Sequence, residues 1–252
     1  MLELIHFAFS HYNEKARWAL DHKRLPHRRR ALLPGPHVPV AKRLTGKTET
    51  PILLDEAQTI AGSAAIIDHL ERTHPERPLY PADPELCRRA LDIQRFFDDE
   101  IGAEARRAFF LDFLADGAYA AGCFAAAPAF SPLQRGLYRL AFPLVRPVMR
   151  RQMALYPEHA ETARAALRRG LDFVAANAGP GGFLVGDAFT VADLSAAALL
   201  HLVVFPPEAP PGLPEPRSPA LLTWLARWSD HPGTAWVLAM YRGHRPPSAE
   251  IP

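Results

Sequence analysis

Cysteine is scarce: Cys87 and Cys123 are the only two, 36 residues apart and in no CxxC pair. That excludes a disulfide framework and a thiolate zinc site, and makes a reducing cytoplasm the expected compartment. Lysine is scarcer than usual, four against 25 arginines, and the net charge is only +2. So small an excess gives no strong basic field, and a nucleic-acid partner is not expected. The 15 glycines show no period of three, which excludes a collagen-like chain. Long apolar runs are missing too. The longest uncharged stretch, Gly117 to Gln134, is rich in alanine and broken by Pro128 and Pro132, a poor transmembrane candidate. The N-terminus has neither the basic start nor the long apolar segment of an export signal. The eleven histidines are scattered, and pairs such as His22/His27 and His69/His74 lack same-face helical spacing, so no metal site is expected.

Proline is what the chain has in excess, 26 of 252 residues, about twice the usual share of roughly 5%. With 48% hydrophobic and 22% charged residues the composition is globular, so the prolines should act as punctuation. They divide the chain into two unlike parts. Short apolar runs at Leu2–Phe9, Arg28–Leu33, Thr50–Asp55 and Gln58–Ile60 read as strands. Between and after them, 13–24, 40–45 and 63–73 read as helices, giving β-α-β-α-β-β-α in about 75 residues. Pro75, Pro78, Pro81 and Pro84 then recur every third residue, which predicts an extended linker. Beyond it the pattern is helical: 85–114, 133–153 (with Pro143 and Pro147 expected to kink it), 158–177, 190–203, 220–229 and 233–240. Seven prolines between Pro206 and Pro219 predict a long irregular loop. The domains expected are therefore 1–76 (α/β), a linker at 77–84, and 85–252 (all helical).

Three stretches bear on chemistry. Ser10 stands between a strand and a helix. Its commonest role there is an N-cap, but a helix N-terminus also stabilises a thiolate, and a hydroxyl could donate to a ligand sulfur. Thr50-Pro51 enters a strand, where proline is tolerated in an ordinary trans bond. A cis bond there would present the Thr50 N–H and C=O outward as a hook for an extended peptide. In Phe189-Thr190-Val191-Ala192-Asp193-Leu194, Thr190 and Asp193 form a capping-box variant with a Phe189/Leu194 staple, a structural element.

Together, FSHYNEKARWAL (9–20), TPILLDEAQTIAGSAAIIDHLE (50–71) and FLVGDAFTVADL (183–194) resemble the soluble glutathione transferase family in order and spacing. The resemblance is good over 2–75 and 158–203 and weak over 115–157 and 205–219. It implies an α/β thioredoxin-like N-terminal domain that binds glutathione as co-substrate, plus an all-α C-terminal helical domain that offers an electrophile pocket. Carried over by position, Ser10 matches the residue beside the sulfur in serine-type members, and Thr50 with cis-Pro51 the main-chain hook. Ser63 matches the residue that bonds the γ-glutamyl carboxylate, an anion that a helix N-terminus also favours. Lys47 is a loose match for the glycyl carboxylate. Tyr12 and His11 are alternatives for the catalytic hydroxyl or for the pocket lining. Gly62 replaces the acidic or amide residue that usually precedes this serine, which puts glutathione affinity in question. With Ser10 and Asn13 in place of cysteines, thiol–disulfide chemistry is not expected.

Phe109, Phe110 and Phe113 are expected partly in the core and partly against an apolar electrophile. Arg28-Arg29-Arg30 reads as a solvated edge strand, Asp98-Asp99 with Arg106-Arg107 as exposed charges or interface contacts, and 135–151 as a helix with one solvated face, with a membrane-surface helix or a pocket cover as the alternatives. The expected function is a cytoplasmic glutathione transferase acting on a small hydrophobic electrophile. A homodimer is the family expectation, with no metal and no membrane span. A glutathione-dependent isomerase or dehalogenase, or a non-catalytic binding protein, are the alternatives.

Overall fold

Leu2–His6 forms β1, apolar on both faces because it lies at the centre of the sheet, with Leu4 and Ile5 wholly buried. The computed structural model describes residues 1–252. A parallel neighbour requires a crossover, and helix α1 (His11–His22) supplies it before β2 (His27–Ala31) pairs with β1. After α2 (Val38–Thr45), β3 (Ile52–Asp55) and β4 (Gln58–Ala61) add antiparallel on the other side, giving the order β2-β1-β3-β4. Helix α3 (Ser63–Thr73) returns across the sheet, and every later element is helical. This is the mixed sheet plus helical domain that the sequence predicts. The Arg28–Arg30 strand is only partly a solvated edge. Arg29 turns inward to Asp21 at 2.6 Å, and the Ile251 N–H donates to the His27 carbonyl, so the C-terminal tail covers that edge.

The prolines punctuate as expected. Pro84, Pro132, Pro219 and Pro232 stand at helix starts, where the missing N–H costs nothing. Asp83 caps α4 (Pro84–Phe96) by accepting from the Glu85 and Leu86 N–H groups, both at 2.9 Å. The helix expected over 85–114 is interrupted by a widened π-helical segment, Phe97–Gly102, before α5 (Ala103–Phe113). A further helix, α6 (Gly117–Phe124), occupies the alanine-rich stretch that periodicity left unassigned. It is apolar nearly all round and mostly buried, so it carries no amphipathic signature.

Helix α7 (Pro132–Gln152) runs through Pro143 and Pro147 as one element, both prolines being exposed. Its outer side is not the solvated polar face expected: Leu133, Leu137, Leu140, Leu144 and Val148 are all more than half exposed. Four of the five arginines of this helix are turned back toward the protein instead. Arg135 donates to the Ala127 carbonyl and Arg150 to the Leu155 carbonyl, while Arg146 lies against Gly117 and Arg139 against Gly122.

Helices α8 (Ala160–Asn177), α9 (Val191–Leu200), α10 (Pro219–Trp228) and α11 (Pro232–His244) complete the domain. The Asp193 carboxylate, fully buried, accepts from the Thr190 and Leu184 N–H groups at 2.9 and 2.8 Å, and the Thr190 hydroxyl accepts from the Ala192 N–H. The element is structural, as its sequence suggests. Between Val203 and Pro219 the chain is irregular apart from turns. It is held by Arg17, which donates to the Pro210 carbonyl, and by the Tyr119 hydroxyl, which donates to that of Pro214. No helix is long and apolar enough to cross a membrane.

Helix α11 crosses α8 at backbone contact. A Cβ added to Gly233 would collide with the Leu171 carbonyl and lie 2.9 Å from its Cα. Backbone cannot give way as a flexible side chain can, so Gly233→Ala is expected to cost roughly 1–3 kcal/mol. Chemical denaturation checks this, and an unchanged midpoint would show that the two helices separate freely.

Candidate active site

Ser10 takes the N-cap position of α1 in an extended conformation (φ −161°, ψ 131°), yet its side chain caps no N–H. Its hydroxyl oxygen instead accepts from Asn13 Nδ2 at 2.7 Å. Asn13 is itself oriented by the Phe7 N–H, which donates to its Oδ1 at 3.2 Å. That arrangement occupies a lone pair of the Ser10 oxygen and leaves the O–H proton available. The side chain lies on the lining of two cavities. One, of about 600 Å³, is bounded by the β1–α1 turn, the 34–38 and 48–50 loops, α5 and α7. The other, of about 450 Å³, lies beneath the proline-rich 206–213 loop.

Thr50 enters the larger cavity through a cis peptide bond to Pro51. Its N–H and C=O pair with no other backbone group, and its buried hydroxyl has no partner. The Pro51 carbonyl accepts from the Gly62 N–H at 2.9 Å, which ties this loop to the start of α3. His37, not singled out in the sequence, fixes the geometry: its Nε2–H donates to the Thr48 carbonyl at 3.0 Å while Nδ1 accepts from the Gly35 N–H at 3.1 Å. Gly35, at φ +93°, has room only for hydrogen, since a Cβ would press on Val145 of α7.

His11 and Tyr12 line the same cavity with the His11 Nε2 and the Tyr12 hydroxyl already engaged. The His11 Nε2–H donates to the Gly102 carbonyl at 2.9 Å, and burial, aided by Arg106, pushes its pKa down to about 3. The Tyr12 hydroxyl donates to the Asp98 carbonyl at 2.7 Å, and burial, with Asp98 next, pushes its pKa up. Both acceptors belong to the π-helical segment. Gly102 is required there because a Cβ would overlap the Tyr12 hydroxyl and approach its Cζ to 2.7 Å. Tyr12 is therefore a strut between the two halves of the molecule, with no proton free for a sulfur.

Of the remaining residues expected at the site, Phe110 lines the cavity, whereas Phe109 and Phe113 do not. They lie one helical turn apart on the core side of α5, stacked on each other at 4.6 Å, with Phe113 on Phe9 at 5.3 Å. Lys47 and Gly62 are exposed, Ser63 at the start of α3 is buried, and none of the three is on the lining. The charge pairs also differ from expectation. Asp98 accepts two hydrogen bonds from the buried Lys15, and Arg106 is turned into the cavity. The spacing of Arg106 and Phe110, four apart on one helix face, was the available signal for the latter. Helix α7, expected to have a solvated face with a pocket cover as an alternative, covers the cavity with Val145 and Met149.

Residues 4–78 match the glutathione S-transferase N-terminal domain and 157–227 the C-terminal domain of the same name. The chain belongs to the glutathione S-transferase superfamily. Among solved structures, a glutathione S-transferase from Rhodospirillum rubrum F11 is similar over 98% of this chain and 96% of its own, at 20% identity and TM-score 0.59. Beta-etherase LigF from Sphingobium sp. strain SYK-6 is similar over 94% and 98%, at 18% identity and TM-score 0.61. A glutathione S-transferase from Methylobacterium radiotolerans, in complex with glutathione sulfonate, is similar over 100% and 97%, at 21% identity and TM-score 0.56. At these identities the likeness is one of fold. No curated protein matches the chain in sequence. Superfamily membership links the N-terminal half to glutathione binding, and no group of histidine, cysteine or acidic residues is arranged to hold a metal.

Proposed function

We propose that the protein is a serine-type glutathione transferase, with residues 1–76 binding glutathione, 77–84 as linker and 85–252 supplying the second-substrate wall. The observation that carries this reading is the Ser10 hydroxyl, which accepts from Asn13 and keeps its proton for the cavity. A thiol seated against it loses its proton to solvent. The resulting thiolate accepts the Ser10 O–H bond and lies at the positive end of α1. The Asn13 amide polarises the hydroxyl and makes it a better donor. The thiolate then attacks an electrophilic carbon, a C–S bond forms, and the leaving group departs with its electron pair. The free N–H and C=O of Thr50 suit an extended peptide backbone, and Ser63 at the α3 N-terminus suits a carboxylate. The protein is read as a cytoplasmic homodimer, a family expectation.

A second reading, a non-catalytic glutathione-binding protein, draws on Gly62. Its φ of +94° and the open space around it leave no side chain to hold the γ-glutamyl end. Conjugation of glutathione to a generic aromatic electrophile separates the two. A hydrogen bond to a charged sulfur predicts that Ser10→Ala lowers kcat/KM by about tenfold to a hundredfold. Glutathione binding by calorimetry should persist in the variant. Binding without turnover in the wild type would favour the second reading, and no binding at millimolar glutathione would remove both.

A further inference from the structure

Arg106 is the anomaly of the larger cavity. Its guanidinium makes no hydrogen bond and no ion pair, its Nε is buried without a partner, and desolvation dominates its electrostatics. Arg135 and Arg164 also bury an idle Nε, but other nitrogens of each are bonded, to the Ala127 carbonyl and to Asp112. The groups around Arg106 offset its charge only from a distance, Glu49 and Glu104 among them, and none makes a direct contact with it. Glu104, two residues before it, is paired with Arg107. The Tyr12 hydroxyl is committed to Asp98 and the His11 Nε2–H to Gly102. Glu49, the only carboxylate on the lining, is exposed and beyond ion-pair distance. A half-buried cation with no direct partner, its Nε wholly buried, is costly, and a fold normally pairs it or replaces it. Here it faces a cavity whose other wall is apolar, with Phe110, Phe124, Val145 and Met149.

We propose that Arg106 anchors an anionic group of the second substrate, which is therefore an amphipathic organic acid: an apolar body carrying a carboxylate. The planar guanidinium takes a carboxylate through two parallel N–H bonds, while the aromatic and aliphatic wall takes the body. Arg106 comes from the helical half, across from Thr50, so the group it holds is placed against the second substrate rather than along the glutathione backbone. This rests on the transferase reading and names the class of its second substrate.

The test is calorimetry on the full chain with 4-phenylbutyrate and its uncharged analogue 4-phenylbutanamide, with and without saturating glutathione. The acid should bind wild type about tenfold or more tighter than the amide. Arg106→Gln should abolish that preference, Arg106→Lys should keep part of it, and the glutathione affinity of both should be unchanged. Because Arg106 is half-buried with no direct partner, Arg106→Met should raise the melting temperature of the free protein by about 2–4 °C. The acid should stabilise wild type but not that variant. Equal affinity for acid and amide would overturn the proposal. So would a loss of glutathione affinity in Arg106→Gln matching the loss for the acid, which would assign the charge to a carboxylate of glutathione. A melting temperature lowered by Arg106→Met would also overturn it, making the residue structural. A preference of wild type for the acid that Arg106→Gln abolishes, with no glutathione heat in any variant, would support the anion site and remove the two glutathione-based readings.

Discussion

Replacing Glu14 with glutamine is expected to lower the unfolding free energy by about 3–5 kcal/mol. Glu14 lies one turn into α1, fully buried, and is the shared counter-ion of two buried guanidiniums. Its Oε1 accepts from Arg245 Nε at 2.7 Å and its Oε2 from Arg17 Nε at 2.9 Å. Burial would push its carboxyl pKa up, but Arg245 and Arg17 together hold it below the ordinary range. Asp21, two turns on, plays the same part for Arg29 and Arg245, at 2.6 and 2.8 Å. The cluster thus holds three cations and two anions. Losing Glu14 leaves three cations around Asp21 alone, whereas losing Arg245 leaves Arg17–Glu14 and Arg29–Asp21 as balanced pairs. Glu14→Gln should therefore cost clearly more than Arg245→Met. Urea unfolding followed by tryptophan fluorescence reads the difference, since the Arg245 guanidinium lies over the Trp18 ring. Equal costs would mean that the pairs act separately and that charge balance in the cluster does not matter.

The same cluster marks where sequence reasoning stops. The alternation of strands and helices up to residue 73, the linker and the helical remainder follow from hydrophobic period and proline spacing, which are local properties. The spacing of Ser10 before α1 and of Thr190 before α9 is local too, and both were legible. What Ser10 does with its hydroxyl was not. A cap and a donor to a cavity share one sequence, and the choice turns on Asn13 being held by Phe7. Arg29 reads as part of a solvated edge strand, and nothing local marks Arg245, whose partner Glu14 lies 231 residues away. For the same reason Asp98 and Arg106 read as exposed charges or interface contacts. Whether a charge is paired, buried or left idle is settled by elements that meet only in the folded chain.

The apolar residues divide along the same line. Phe109, Phe110 and Phe113 were a set in the sequence, and the helix period separates them: 109 and 113 share the core face, 106 and 110 the cavity face. That division was computable, but which face met the cavity was not. Helix α7 is the stronger case. Its spacing of Leu133, Leu137, Leu140 and Leu144 is visible in the chain, and an apolar stripe ordinarily means burial. Its opposite face meets the core through Tyr138, Phe142 and Met149, so the stripe is left outside. The segment of weak family resemblance over 115–157 thus includes the helix that roofs the larger cavity.

Acid should destabilise this protein well before its carboxylates titrate. Five buried histidines are built into the fold as neutral rings. His6 Nδ1 accepts from Arg17, and His27 Nε2 accepts from Arg29 while its Nδ1–H donates to the Leu25 carbonyl. His37 accepts from the Gly35 N–H, and His11 and His201 donate to the Gly102 and Ala198 carbonyls. Burial lowers the pKa of all five, that of His11 to about 3. For His6 and His27, protonation would also set an imidazolium against a guanidinium. In the unfolded chain the same rings titrate near 6.5. Between that value and the lower folded ones the unfolded state binds more protons, so stability rises with pH in this window. It is complete above about pH 7 and lost as pH falls through 6.5 toward the folded values. Each such ring adds up to about 1.4 kcal/mol per pH unit to the slope. Five together would exhaust a stability of about 5–15 kcal/mol within a few pH units. Urea denaturation at intervals from pH 8 to pH 4 should show a plateau and then a steep fall. His11→Asn, which keeps a donor near Gly102 without a titrating ring, should make that fall shallower by up to one proton. A midpoint unchanged between pH 8 and pH 5 would mean that the rings are protonated in the fold, and that the guanidinium contacts of His6 and His27 are not hydrogen bonds.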